Sequence, residues 1–256
     1  MAPDLDLSDA ARRQLVGELV PPDVIEPFGV YASASLDPTA ELARHVERVV
    51  FLEAFGNTAE LLAKEYGPYE AASLFLCVVD HRRQVPAGMM RVLVPSPAGF
   101  KSLVDIEPIW GLTVDALFSG AGLTHEPERT WDVATLAVGP EYRGKAASGL
   151  VSLALYQAVT MLARHRDVDW LVAIFDVPVL RMIRWKLRMT FAGFPGIGAA
   201  SYLGSTASLP AWCRLSDAEE RLGRTDPDLR ALLFDGKGIE PAVRPIDLDG
   251  ALGLVA

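Results

Sequence analysis

A β-prone segment that runs into a glycine-proline turn, a string of small residues and then a long apolar helix limits the folds open to this chain more than any other feature. Trp131 to Val138 is apolar and strand-like, Gly139 and Pro140 interrupt it, and Leu150 to Ala163 has helical spacing. Asp169-Trp170 then leads into LVAIFDV, a continuous apolar run of the kind buried on both faces of a parallel pair, with Pro178 placed to start another helix. Residues 131–176 therefore read as one βαβ unit. The amides of Arg143, Gly144, Lys145, Ala146, Ala147 and Ser148 are expected to form the unpaired first turn of its helix. Such a turn attracts phosphate through its free N–H groups and the positive end of the helix dipole, and small side chains allow close approach.

Upstream, Ser8 to Leu19 is a short amphipathic stretch ended by Pro21-Pro22, and Val24 to Ala32 is strand-like. A helix is expected from Pro38-Thr39 to Gly56, because Leu42, Val46, Val49, Val50 and Phe55 follow its period, and a second helical piece from Thr58 to Tyr66. Ala72 to Val79 and Met89 to Val94, joined by a polar link, suggest an antiparallel hairpin. The Pro/Gly-rich stretch from Pro95 to Pro127 reads as loops with one short helix. SYLGS reads as a strand, and the polar, Pro-rich remainder is weakly helical only between Ser216 and Leu222. The expected layout is an N-terminal arm over 1–24, one domain over 25–205 and a packed C-terminal extension over 206–256.

Charge narrows the function. With 24 Lys plus Arg against 33 Asp plus Glu the chain carries a net charge of -9, which argues against broad attraction to nucleic acid or anionic lipid, so any anion site must be local. No stretch approaches the roughly 18 apolar residues of a membrane span or the pattern of a signal peptide. The two cysteines, Cys77 and Cys213, have neither zinc nor disulfide spacing, and a reduced cytoplasm is the expected location. No metal is expected, since His45, His81, His125 and His165 have no ligand spacing.

The run Leu136-Ala137-Val138 followed by Pro140, Tyr142, Arg143 and Gly144 resembles the acyl-CoA motif of the GNAT superfamily of N-acetyltransferases, with Ala146 and Ser148 at later glycine positions. The order of elements over about 25–205 is similar to that family. The resemblance implies a GNAT fold of the mixed α/β class, in which an antiparallel hairpin and a parallel βαβ unit share one sheet. It also implies that the two parallel strands splay apart around a pantetheine arm bonded to backbone near Leu136 and Val138. EYGPYE at 65–70, VPAGMMRVLVPS at 85–96 and TWDVATLAV at 130–138 resemble segments of acyl-homoserine-lactone synthases and long-chain N-acyl amino acid synthases, with Asp132 where those have Glu and Thr135 where they have Arg.

The activity implied is direct transfer of an acyl group from acyl-CoA, or from the phosphopantetheine of an acyl carrier protein, to a small amine. Such transfer needs a base for the amine proton and an acid for the thiolate, and Asp132 on the motif strand is the candidate base. The amides of Leu136, Ala137 and Val138 are placed to polarise the thioester carbonyl. The family's acid, a Tyr in the helix after the last parallel strand, has no counterpart in residues 178–189, where Trp185 is the aromatic residue; Tyr202 and Glu107 are further contributors. Arg181, Arg184, Lys186 and Arg188 on that helix form a basic face suited to a CoA phosphate or an acidic carrier protein.

Two other readings share these residues. A GNAT-shaped binding or regulatory protein would hold acyl-CoA without turnover. A P-loop reading takes Gly139 to Ala146 as the phosphate loop and Asp176 as a magnesium partner, but Ala146 cannot ligate the metal as Ser or Thr does.

Overall fold

The computed structural model describes residues 7–144, 149–186, 188 and 191–254. The chain opens with α1 (Asp9–Leu19), capped by the Ser8 hydroxyl, and β1 (Phe28–Ala34). Next come α2 (Ala40–Phe55), ended by left-handed Gly56, and α3 (Ala59–Tyr66), capped by Thr58. The hairpin β2 (Ser73–Asp80) and β3 (Val85–Leu93) follows, antiparallel as its alternating apolar runs imply.

The Pro/Gly-rich stretch holds three short helices rather than one: α4 (Lys101–Val104), α5 (Ile106–Trp110) and α6 (Val114–Gly120). They are too short for periodicity to announce, and tertiary packing of Phe100, Leu103, Ile106, Leu117 and Phe118 against the sheet holds them. The βαβ unit comprises β4 (Thr130–Val138), α7 (Leu150–His165) and β5 (Trp170–Asp176), and β4 and β5 pair in parallel.

After α8 (Val177–Lys186) come β6 (Ala192–Gly193), β7 (Ala200–Tyr202) and β8 (Ser205–Arg214), then α9 (Leu215–Thr225), α10 (Pro227–Asp235), β9 (Val243–Arg244) and α11 (Leu248–Gly253). The sheet runs β6-β8-β5-β4-β3-β2-β1-β9, with β7 on β8. The weakly patterned segment 205–214 is thus a full strand, paired with β5 from Trp170 and Arg214 to Asp176 and Ser208. Pro210 sits inside it and disguises it in the sequence. The segment read as an extension from 206 begins within this strand, and its end supplies β9, which pairs in parallel with β1.

Helices cover both faces. On one, α1 and α2 pack on Phe75, Cys77, Val79, Met89 and Ala137. On the other, α7 and the C-terminal helices pack on Leu74, Leu76, Val78, Met90, Val92 and Trp131. The alternation of those β2 residues between faces is the period-two signature of a strand covered on both sides. Both cysteines are free and buried.

The turn between β7 and β8 docks on the end of α2: Asn57 Nδ2 donates to the Leu203 carbonyl at 2.9 Å. Gly204 has φ of +83°, and a Cβ there would lie 2.3 Å from the Phe55 carbonyl oxygen. Gly204→Ala should therefore lower stability by roughly 2–4 kcal/mol in urea unfolding, through left-handed strain plus a backbone clash; an unchanged midpoint would show that the turn is not seated on α2.

Candidate active site

Strands β4 and β5 stay together for only three residues, Thr130 to Asp132 against Trp170 to Val172. Each then follows its other neighbour. β4 continues along β3 to Val138 opposite Gly88, and β5 continues along β8 to Asp176. The register of β4 slips where Arg91 faces Thr135 and Val92 faces Val133, which leaves Ala134 as an extra residue. A bulge bends its strand, and here it turns the outer half of β4 away from β5. The wedge between them holds a cavity of about 400 Å³.

Backbone and side chains of Val133 to Val138 form one wall, and Ile174, Phe175 and Asp176 the other. Helix α2 contributes Val50, Phe51, Ala54 and Phe55, α7 contributes Ser152 and Tyr156 with Gly149 just before it, and α8 contributes Val179, Met182 and Lys186. Apolar groups dominate, and the polar ones are few. Asp176 accepts from the Ser205 hydroxyl at 2.6 Å. Tyr142 donates to Asp80 at 2.9 Å, and burial, reinforced by that carboxylate, pushes its phenol up to about 12. Tyr202 donates to Asp105 at 2.7 Å, and burial holds its phenol far above its ordinary value.

Of the residues singled out by the motif, Leu136, Ala137, Val138, Arg143 and Gly144 do line the cavity. Lys145, Ala146, Ala147 and Ser148 lie outside the described residues. The helix starts later than its sequence suggests: Pro140 to Tyr142 form a tight turn, Arg143 is extended and bonded through Nε to the Val138 carbonyl, and α7 begins at Leu150 after left-handed Gly149. Positive φ at both Gly144 and Gly149 is incompatible with one unbroken α-helical turn from Arg143. The free first-turn amides are those that follow Gly149, and Gly149 itself faces the cavity.

Asp132 is not a cavity residue. It is fully buried, and its two oxygens accept from the Ser102 amide at 2.8 Å and the Ser102 hydroxyl at 2.7 Å, which fastens α4 to β4. Each of its oxygens serves a structural bond, and Asp132 is not among the residues that line the cavity. Glu107 is exposed on α5, while Tyr202 lines the cavity. Sequence reasoning passed over Tyr66 and Tyr156 and took Asp176 only as a magnesium partner. The signals were available: Gly149, Ser152 and Tyr156 recur on one face of α7, and Asp176 ends a strand at the point where a parallel pair opens. On α8, Lys186 lines the cavity, Arg181 is exposed and Arg184 donates to the Phe191 carbonyl at 2.7 Å; Arg188 lies past the end of that helix, 3.6 Å from Asp226, and so is not part of its basic face.

A buried ion network backs the β4 wall. Arg91 on β3 forms two bonds to Glu47 of α2, at 3.1 and 2.7 Å, and one to Glu70 at 2.8 Å, and Glu70 also binds Arg44. Burial opposes the charge on Arg91, but the Glu47 and Glu70 carboxylates outweigh it and hold the guanidinium above its ordinary value. Thr135, at the bulge, donates to Glu47. The Arg91 guanidinium lies 4.8 Å from the centre of the Tyr66 ring, whose hydroxyl donates to the Ala134 carbonyl at 3.4 Å.

No protein-family model matches the sequence, and no curated protein matches it. Solved structures do. FeeM, an N-acyl amino acid synthase from uncultured soil microbes, superposes with a TM-score of 0.55 at 16% identity over 77% of this chain and 97% of FeeM. The chain has the GNAT fold. The acyl-homoserine-lactone synthase LasI matches with a TM-score of 0.47 at 14% identity over 83% of this chain and 96% of its own. A Desulfovibrio desulfuricans protein assigned to the GNAT acetyltransferases matches with a TM-score of 0.45 at 19% identity, over 73% and 99% of the two chains. The GNAT fold accounts for the order of hairpin, motif strand, helix and splayed partner strand; it leaves the residues at the reacting centre to be argued from this chain.

Two outcomes follow from the buried charges. Removing one partner of a buried ion pair leaves the other uncompensated, so Glu47→Ala should cost about 3 kcal/mol or more in urea unfolding, and much less when Arg91→Met is already present. Additive losses would show that the pair is not coupled. Burial raises Asp132 from 3.8 to about 6, against bonds from Ser102 that lower it. The folded state then binds this proton more tightly than the unfolded chain, so ionising Asp132 works against folding. Stability of the wild type should fall relative to Asp132→Asn as pH rises from about 4 through about 6, and a flat difference across that window would exclude the raised value.

Proposed function

We propose that the chain is an acyltransferase that takes an acyl group from a thioester of pantetheine, in acyl-CoA or on acyl carrier protein, and gives it directly to a small amine. The observation that carries this reading is the wedge between β4 and β5. From Val133 to Val138 β4 has a strand partner only on its β3 side, so its other edge offers amides and carbonyls to an extended amide-bearing ligand, as an added strand would use them. The pantetheine arm is such a ligand. Its diphosphate end is placed at Arg143, Gly144 and the amides that follow Gly149, where the start of a helix favours negative charge in a chain that is acidic as a whole.

The chemistry follows from the walls. Backbone amides around Leu136, Ala137 and Val138 polarise the thioester carbonyl in a largely apolar space, where a fixed dipole acts more strongly than in water. Asp176, held through one oxygen by Ser205, is the carboxylate in the cavity wall and receives the proton lost by the attacking amine. The apolar lining from α2, with Phe51 and Phe55, suits an acyl chain longer than acetyl. Lys186 of α8 lines the same cavity, and with the exposed Arg181 and Trp185 of that helix it is the surface for a CoA phosphate or an acidic carrier. That FeeM is an N-acyl amino acid synthase makes amino acids the first acceptors to try.

Thermal unfolding in the presence of acetyl-CoA, palmitoyl-CoA, acyl carrier protein and Mg-ATP tests the reading. A donor present at 100 times its Kd stabilises by about 2.7 kcal/mol, which raises the midpoint by several degrees. A rise with acyl donors and none with Mg-ATP is the expected result. A rise with Mg-ATP alone would overturn it, and binding of acyl donors without thiol release across an amine panel would leave a binding protein.

A further inference from the structure

Four tyrosines border the cavity, and their hydroxyls differ in one respect. Tyr66 donates to the Ala134 carbonyl, Tyr142 to Asp80 and Tyr202 to Asp105. The Tyr156 hydroxyl has no hydrogen-bond partner among the described residues, although the side chain is only 4% exposed. A buried phenol without a partner is disfavoured unless something else occupies the space before it. In the second turn of α7, Tyr156 shares the face of Gly149 and Ser152, which also line the cavity. One turn of helix separates Ser152 from Tyr156, roughly 6 Å along the axis, so the stripe runs from the diphosphate end at Gly149 into the depth of the wedge.

We propose that Tyr156 is the proton donor to the leaving sulfur of the thioester. This rests on the acyl-transfer reading above, and it places the acid on α7 rather than on α8, whose aromatic residue Trp185 is 77% exposed. The amine nitrogen attacks the carbonyl carbon and a C–N bond forms. The C–S bond breaks with its electron pair going to sulfur, the Tyr156 hydroxyl proton passes to that sulfur, and the proton lost by the amine passes to Asp176. Solvent exchange returns the proton from Asp176 to the tyrosinate, so each turnover releases one amide and one thiol. Burial raises the phenol, which keeps it protonated throughout the working range. The same water-poor surroundings disfavour a free thiolate, so donor and acceptor are shifted in the same direction.

Tyr156→Phe removes a single oxygen that bonds nothing else in the protein, so the variant should fold with an unchanged or higher unfolding midpoint. Thiol release is measured for wild type and variant with a saturating amino acid acceptor and two donors that carry the same acyl group: acyl-CoA and the acyl 4-nitrothiophenyl ester, whose thiolate leaves without a proton. For acyl-CoA, kcat should fall about 100-fold or more while KM stays within about threefold. For the nitrothiophenyl ester, kcat/KM should stay within about threefold. Equal losses with both donors would make Tyr156 a packing residue, and undiminished acyl-CoA turnover would exclude it from the reaction; either result overturns the assignment. Wild-type protein that releases no thiol with any amine brings down the acyl-transfer reading itself, a failure distinct from these two.

Discussion

Everything distinctive about this molecule depends on a parallel pairing that stops after three residues. Had β4 and β5 remained hydrogen-bonded to their ends, the sheet would be continuous and no wedge would exist. They part because each has a second partner that holds it for longer, β3 for β4 and β8 for β5. The bulge at Ala134 sets the direction of the departure. A sheet interior is normally closed to ligands, since its backbone groups are already spent. Here the unspent groups of β4 face a space whose apolar walls exclude competing water.

That geometry needs support from behind, and the support is ionic. Arg91 and Glu47 are both almost wholly buried, with Thr135 at the bulge bonded to the same carboxylate. Such a pair is weak evidence for net stability, because desolvation offsets much of the attraction. It does fix register: Arg91 must sit opposite Glu47 of α2, which settles where β3, and with it the bulge of β4, lies against the helix. Asp132 plays a comparable part by holding α4 through Ser102. Carboxylates in this chain that resemble catalytic groups in sequence are thus partly fasteners.

How much of this was legible in the sequence follows from how local each signal is. The hairpin, the motif strand and α7 carry period-two or period-3.6 patterns within single segments, and they form where those patterns place them. Strand β8 was not legible, since Pro210 and mixed polarity hide a strand whose pairing with β5 joins residues as distant in sequence as Trp170 and Arg214. The periodic part of α7 starts at Leu150 as its pattern implies, but Arg143 and Gly144 do not belong to its first turn, since Arg143 is extended and Gly144 is left-handed. Asp132 looked catalytic because its strand is the right one; which face it occupies depends on packing against α4, a helix with no sequence period. The spacing of Gly149, Ser152 and Tyr156 was there to be read, but what sets Tyr156 apart, a hydroxyl without a partner among the described residues, is a property of three dimensions.

The two helices that frame the wedge are unequally clothed. Helix α7 lies between the sheet and the C-terminal segment, with Gln157 bonded to the Leu232 carbonyl and α10 and α11 packed along it. Helix α8 buries only Leu180 and Ile183 among its side chains, and Met182 and Trp185 face solvent. Local opening costs least where the fewest apolar groups are covered. The wedge therefore has one stiff jaw and one compliant jaw: differences in guest size are absorbed by α8, while the α7 side with Tyr156 keeps its aim.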